Sequence, residues 1–191
     1  MMRARLGLLG LLLLGGCISI EKVETGRTVV KDALEVQVPQ EWNRYPKMYG
    51  NGPGETWTRD GIALDTLTFY VAIKDGEALY VSNKPDRKPP LFKSSMGPTE
   101  VVELVENMMV GNGGKFDMTS LEPVNWAEGK GFRFGFKAMF AQSELERQGL
   151  GYGIVRDGKL YMILYQAPRT HYYTKHLKQV QSLVMSAKLL K

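Results

Sequence analysis

Few residues in this chain could do chemistry, and their spacing works against most of what they could do. The 2 histidines, His171 and His176, stand five apart on a helical pattern. Helical ligand pairs, or a base with its orienting partner, share a face at a step of three or four. A step of five rotates the second ring away, and neither histidine has an adjacent carboxylate. Both are expected at the surface or at a helix start, with no metal bound. Ser94, Ser95 and Ser143 lie in polar segments, and the chain has no Gly-x-Ser-x-Gly elbow. The acidic pairs Asp60 with Asp65 and Glu144 with Glu146 could in principle exchange protons. Turns and solvated faces account for them more simply, since carboxylates are mostly exposed.

Two glycine runs are also expected to be structural. Gly111-Asn112-Gly113-Gly114-Lys115 follows a helical segment and precedes a strand. A phosphate loop needs the reverse order, which aims the amides of a helix start at the phosphate. Gly149-Leu150-Gly151-Tyr152-Gly153 opens a strand, where such glycines mark a bend or a close backbone approach. The expectation is therefore a protein that is not an enzyme and holds no cofactor.

The sole cysteine, Cys17, is different. Before it stand Arg3 and Arg5, an apolar run from Leu6 to Leu14, and Gly15-Gly16. A basic start, an apolar core of roughly 9 residues and small residues before a cut are the parts of a secretory signal. The run is too short to span a bilayer, which takes about 20 apolar residues. Leu14-Gly15-Gly16-Cys17 resembles the lipobox of bacterial lipoproteins. The resemblance implies cleavage before Cys17 and a diacylglycerol on its thiol, with further acylation of its amine. Two or more chains hold stably because each buried CH₂ contributes about 0.8 kcal/mol. In a two-membrane envelope such proteins are sorted by the residue after the cysteine. Ile18 in place of aspartate points to the outer membrane, on its periplasmic side.

The expected organisation is a signal peptide over 1–16, a lipid-anchored tether over 17–33 and one globular domain over 34–191. Removing the signal leaves about 175 residues, enough for one well-packed domain. The formal net charge of +5 includes Arg3 and Arg5. A mature charge of about +3 is no nucleic-acid footprint.

The elements that would position these residues follow from periodicity. Residues 18–33 are polar and irregular, with at most a short strand at Thr28–Val30. Leu34, Val36 and Val38 alternate with polar residues until Pro39. Turn formers from Trp42 to Gly54 read as a long loop whose aromatics, with Trp57 beyond it, pack over a sheet edge or face a partner. Strands are expected at Glu55–Arg59 and, after the Asp60-Gly61 turn, at Leu64–Lys74, with Leu67, Phe69, Val71 and Ile73 on one face. Lys84-Pro85-Asp86-Arg87-Lys88-Pro89-Pro90 can hold neither helix nor central strand. Pro98 opens a helix through Met109, capped by the glycine run. Four strands follow, over 115–121, 131–140, 150–156 and 159–166. Phe132, Phe134, Phe136 and Phe140 share one face, and Asp157-Gly158 makes a tight hairpin. A closing helix from about Thr170 buries Tyr173, Leu177, Val180, Val184 and Ala187.

Tight hairpins require antiparallel pairing, and two amphipathic helices need a sheet to cover. The fold class expected is α+β, an antiparallel sheet flanked by two helices. The order resembles the PsbP-like fold, carried by Val36-Gln37-Val38-Pro39-Gln40-Glu41-Trp42 and by the lysine-bearing closing helix, over roughly Leu34 to the C-terminus. The resemblance implies an α/β/α sandwich used for docking onto larger assemblies, with no shared chemistry.

Function is then expected from surfaces. The candidate partner-binding residues are Lys84, Arg87 and Lys88, whose loop could meet an acidic protein patch or anionic lipid. The leading expectation is an envelope lipoprotein, held in the membrane by Cys17, that binds a protein partner or assists an assembly. The alternatives are a ligand- or lipid-binding module with an apolar pocket along the Phe132–Phe140 face, and a hydrolase in which a histidine meets a serine or carboxylate.

Overall fold

The alternation of apolar and polar residues becomes two faces of one large sheet in the computed structural model, which describes residues 20–46, 52–82, 84, 86–111, 113–140, 143 and 145–190. Residues 1–19, which include the expected signal peptide and Cys17, lie outside the described residues. In chain order the elements are β1 (Glu21–Val23), β2 (Gly26–Val30), β3 (Leu34–Val38), β4 (Trp42–Arg44), β5 (Glu55–Thr58), β6 (Thr66–Ile73), α1 (Pro98–Val110), β7 (Lys115–Trp126), β8 (Gly129–Met139), β9 (Arg147–Arg156), β10 (Lys159–Pro168), α2 (Tyr172–Met185) and β11 (Lys188–Leu189).

Eight strands form the main sheet in the order β1-β4-β5-β6-β10-β9-β8-β7. The expected single sheet is corrected here: a second sheet of 3 strands, β11-β3-β2, carries the Leu34–Val38 strand. The tether is corrected too. β1 and β2 lie within 17–33, and Val23 and Val30 are buried in the core. Their short, half-polar strands have too few alternating residues to announce themselves.

The two faces of the main sheet feed two apolar clusters. One joins Trp57, Leu67, Phe69, Tyr152, Ile163 and Tyr165 to β2, β3 and the buried side of α2. The other joins Tyr70, Phe132, Phe134, Phe136, Met162 and Leu164 to Val101, Val105 and Met109 of α1. Ile73 was expected beside Val71, yet it belongs to the α1 cluster. Ala72 sits at φ +55 and the β6–β10 register shifts there, so a bulge flips the last residue to the other face.

Local chemistry fixes the ends of the elements. Pro98 opens α1 and the Glu100 carboxylate accepts the Gly97 N–H at 2.8 Å, which satisfies an otherwise orphaned donor. Asp157 and Gly158 join β9 to β10 at φ +53 and +72, the geometry of a type I′ hairpin. β7 continues through Pro123 to Trp126, further than expected, because it is the sheet edge and its outward N–H groups need no strand partner.

Candidate functional site

The β5–β6 connection, residues 59–65, brings the acidic residues to opposite tasks. Asp65 is fully buried and accepts the N–H groups of Arg59 and Asp60 and the Thr58 hydroxyl, which shapes the turn. Asp60 points the other way, toward α2. Its Oδ2 lies 2.6 Å from His176 Nε2, and Lys175 Nζ lies 2.8 Å from its Oδ1. Glu146 of the second acidic pair bonds Arg169 at 2.8 Å, and Glu144 lies outside the described residues.

His176 is therefore not the surface histidine expected: it is 4% exposed, on the buried side of α2. The helical wheel alone places it between Tyr173 and Val180, but its polarity argued against burial. Burial is satisfied because both ring nitrogens are engaged. Nδ1 lies 3.3 Å from Arg59 Nη1, and a guanidinium only donates, so Nδ1 accepts. Nε2 then carries the proton and donates it to Asp60. Arg59 also donates to Gln40 Oε1 and lies over the Trp42 ring, 5.9 Å from its centroid.

This cluster has the parts of an acid–base dyad and the wiring of a clamp. A catalytic histidine needs one nitrogen facing substrate or nucleophile. Here neither is free, and no serine hydroxyl bonds either histidine among the described residues. Ser94 bonds Asp75 through its backbone, Ser143 caps Leu145, and His171 sits exposed at the start of α2. Among the described residues no three His, Cys, Asp or Glu side chains are grouped to hold a metal.

The face expected to line an apolar pocket, Phe132 to Phe140, is closed at its first three rings. Phe132, Phe134 and Phe136 stack in a ladder with centroids 6.2 and 6.0 Å apart, buried beneath α1. They lie on Gly153, Gly151 and Gly149 of β9, where a Cβ would come within 2.4, 2.1 and 1.9 Å of the rings. The glycine run is a close approach, as expected. It fills with rings the space a ligand would need.

The basic loop behaves in two ways. Arg87 Nη1 donates to the Gly111 carbonyl at 2.9 Å, placing a cation at the C-terminal end of α1. Lys84 and Lys88 are exposed and carry no ion pair among the described residues. Val81 and Leu91, 61% and 48% exposed, flank them. Trp42 and Trp57 of the aromatic segment are buried in the core rather than offered to a partner.

An eight-stranded antiparallel sheet with α1 on one face, and α2 with a small second sheet on the other, is the PsbP-like fold. Among solved structures the chain is similar to the solution structure of cyanobacterial PsbP (CyanoP) from Synechocystis sp. PCC 6803, with a TM-score of 0.58 and 14% identity. That likeness covers 97% of this chain and 99% of the other. No family model matches the sequence, and no curated protein matches it.

Proposed function

We propose that this chain is an envelope lipoprotein, anchored through a lipidated Cys17, whose domain is a non-catalytic accessory module that docks onto an acidic partner protein through its basic loop. In a two-membrane host the anchor lies in the outer membrane and the domain faces the periplasm. The observation that carries the docking surface is the mixed face of loop 81–91. Lys84 and Lys88, with no ion pair among the described residues, stand between exposed Val81 and Leu91, on a segment that Arg87 ties to Gly111 at the end of α1. Cations bordered by apolar side chains, on a held scaffold, suit a protein interface with a polar rim. The PsbP-like fold and the closed wiring of His176 support an accessory role over a hydrolytic one.

Crosslinking and pull-down from envelope fractions test this reading. Wild type, Cys17→Ala and the double variant Lys84→Glu, Lys88→Glu are compared. Cys17→Ala is expected to leave the membrane fraction and lose its partners. The charge-reversed chain should stay in the membrane fraction and lose its acidic partner. Recovery of the same partners with both charges reversed would overturn the assignment of this surface.

A further inference from the structure

The face of the main sheet that carries α1 is apolar beneath the helix and polar beyond it. There β5, β6 and β10 form the floor of an open groove of about 420 Å³, within the size range of small-molecule sites. The floor presents Thr56, Thr66, Thr68 and Gln166, and the walls are apolar, with Leu79 and Met108 on one side and Phe140 on another. Thr56 and Thr68 satisfy each other, their hydroxyls 3.1 Å apart.

Thr66 and Gln166 are not satisfied. They stand directly opposite one another in the β6–β10 register. Thr66 is 8% exposed, and Thr66 Oγ1 and Gln166 Oε1 are both buried with no hydrogen-bond partner among the described residues. A buried donor or acceptor left without a partner is costly to the fold. Two adjacent orphans lining one groove therefore favour a ligand that supplies their partners.

The charge balance narrows the ligand class. Arg147, 5% exposed, donates to the Ala63 carbonyl at 2.7 Å and lies 5.6 Å from the centroid of Phe140 at the groove wall. Arg147 does not itself line the groove, and no charged side chain among the described residues does. A lining without charge does not select an anion or a cation. It asks for a neutral group with one donor and one acceptor side by side.

We propose that this groove binds a small uncharged ligand through a secondary amide, lying across β6 and β10. The amide N–H donates to Gln166 and its carbonyl accepts the Thr66 hydroxyl proton, while the substituents rest on the Phe140 and Leu79 walls. The same chemistry occurs in a peptide bond and in an N-acetyl sugar. The inference does not rest on the lipid anchor or on Lys84 and Lys88, although Val81 at the start of the basic loop also lines the groove.

The test is a titration of the full chain, purified in detergent and followed by amide and glutamine side-chain NMR. The probes are N-acetylalanine methylamide and N-acetylglucosamine, with glucose as the amide-free control. Saturable shifts confined to Thr66, Gln166 and neighbours such as Tyr80 are expected with one or both amides, at a dissociation constant of about 1 mM. Response to the diamide alone assigns a peptide source, and response to the sugar alone an acetylated glycan. Thr66→Val and Gln166→Leu should each weaken binding about tenfold. The Thr66→Val protein should melt no lower than wild type, because the change removes an orphaned oxygen at nearly constant volume. Equal binding of glucose, or no saturable shift with either amide, would overturn the proposal.

Discussion

His176 Nε2 and Asp60 Oδ2 lie 2.6 Å apart across 116 residues of sequence, and through them α2 is fastened to the β5–β6 connection. Burial alone would raise the Asp60 carboxyl, but the hydrogen bonds from Lys175 and His176 outweigh it and hold the group below the ordinary aspartate value. A carboxyl lowered in the folded state stabilises fully above its unfolded pKa, and that stability is lost as pH falls through the folded one. The melting temperature should therefore drop from about pH 4 downward. Asp60→Asn should be less stable at neutral pH and lose that part of the acid slope. Thermal unfolding of both proteins from acid to neutral pH measures this. Parallel profiles would show that the pair contributes nothing.

The phenylalanine ladder on the β9 glycines predicts a steric effect of known sign. A Cβ at Gly151 would stand 2.1 Å from Phe134 Cε1, so Gly151→Ala should cost about 1–3 kcal/mol or more through overpacking. Phe134→Ala alone should cost about 3–5 kcal/mol. The double variant should be less destabilised than the sum, since truncating the ring removes the clash. Urea unfolding of the three variants closes the cycle, and strict additivity would contradict the contact.

Arg87 gives a local prediction. With its guanidinium on the Gly111 carbonyl, Arg87→Ala should speed hydrogen exchange in loop 84–90 and in the last turn of α1. Global stability should change by less than about 1 kcal/mol, because the contact ties only a surface loop to a helix end. Exchange rates that rise equally across the β-sheet would mean the contact holds more than the loop.

Trp126 closes the other end of α2. Its Nε1–H donates to the Val184 carbonyl at 2.8 Å from inside the core. Trp126→Phe keeps most of the ring and removes the donor, so a loss of about 1 kcal/mol is expected in chemical denaturation. Val184 also receives backbone donors past the helix end, which keeps the loss modest. An unchanged midpoint would argue that those donors suffice.

The parts of this fold that the sequence announces are those built on long periodic runs. The phenylalanine ladder, the Asp157-Gly158 hairpin, α1 with its proline start and the body of α2 each carry period and punctuation together. What it conceals depends on pairing. β1, β4 and β11 span only Glu21–Val23, Trp42–Arg44 and Lys188–Leu189, and they exist because a neighbouring strand needs hydrogen bonds. The bulge at Ala72 leaves no mark in composition. Nor does the burial of His176, whose partners Arg59 and Asp60 are far away in sequence. Thr66 and Gln166 read as ordinary alternation until register sets them face to face.

The early start of β1 has a consequence for reach. Glu21 is already paired with Arg44 at the edge of the main sheet. With Cys17 lipidated as proposed, the leash from that residue to Glu21 extends at most about 14 Å, against roughly 55 Å for a free segment over 17–33. Such a domain rides on the head groups instead of sweeping the space above them. Strands stand about 4.8 Å apart, so the opposite edge at β7 lies roughly 34 Å along the sheet from the moored one. Partners would then meet the molecule at a set height, and lengthening the leash by inserted glycine and serine would be the direct way to retune whom it can touch.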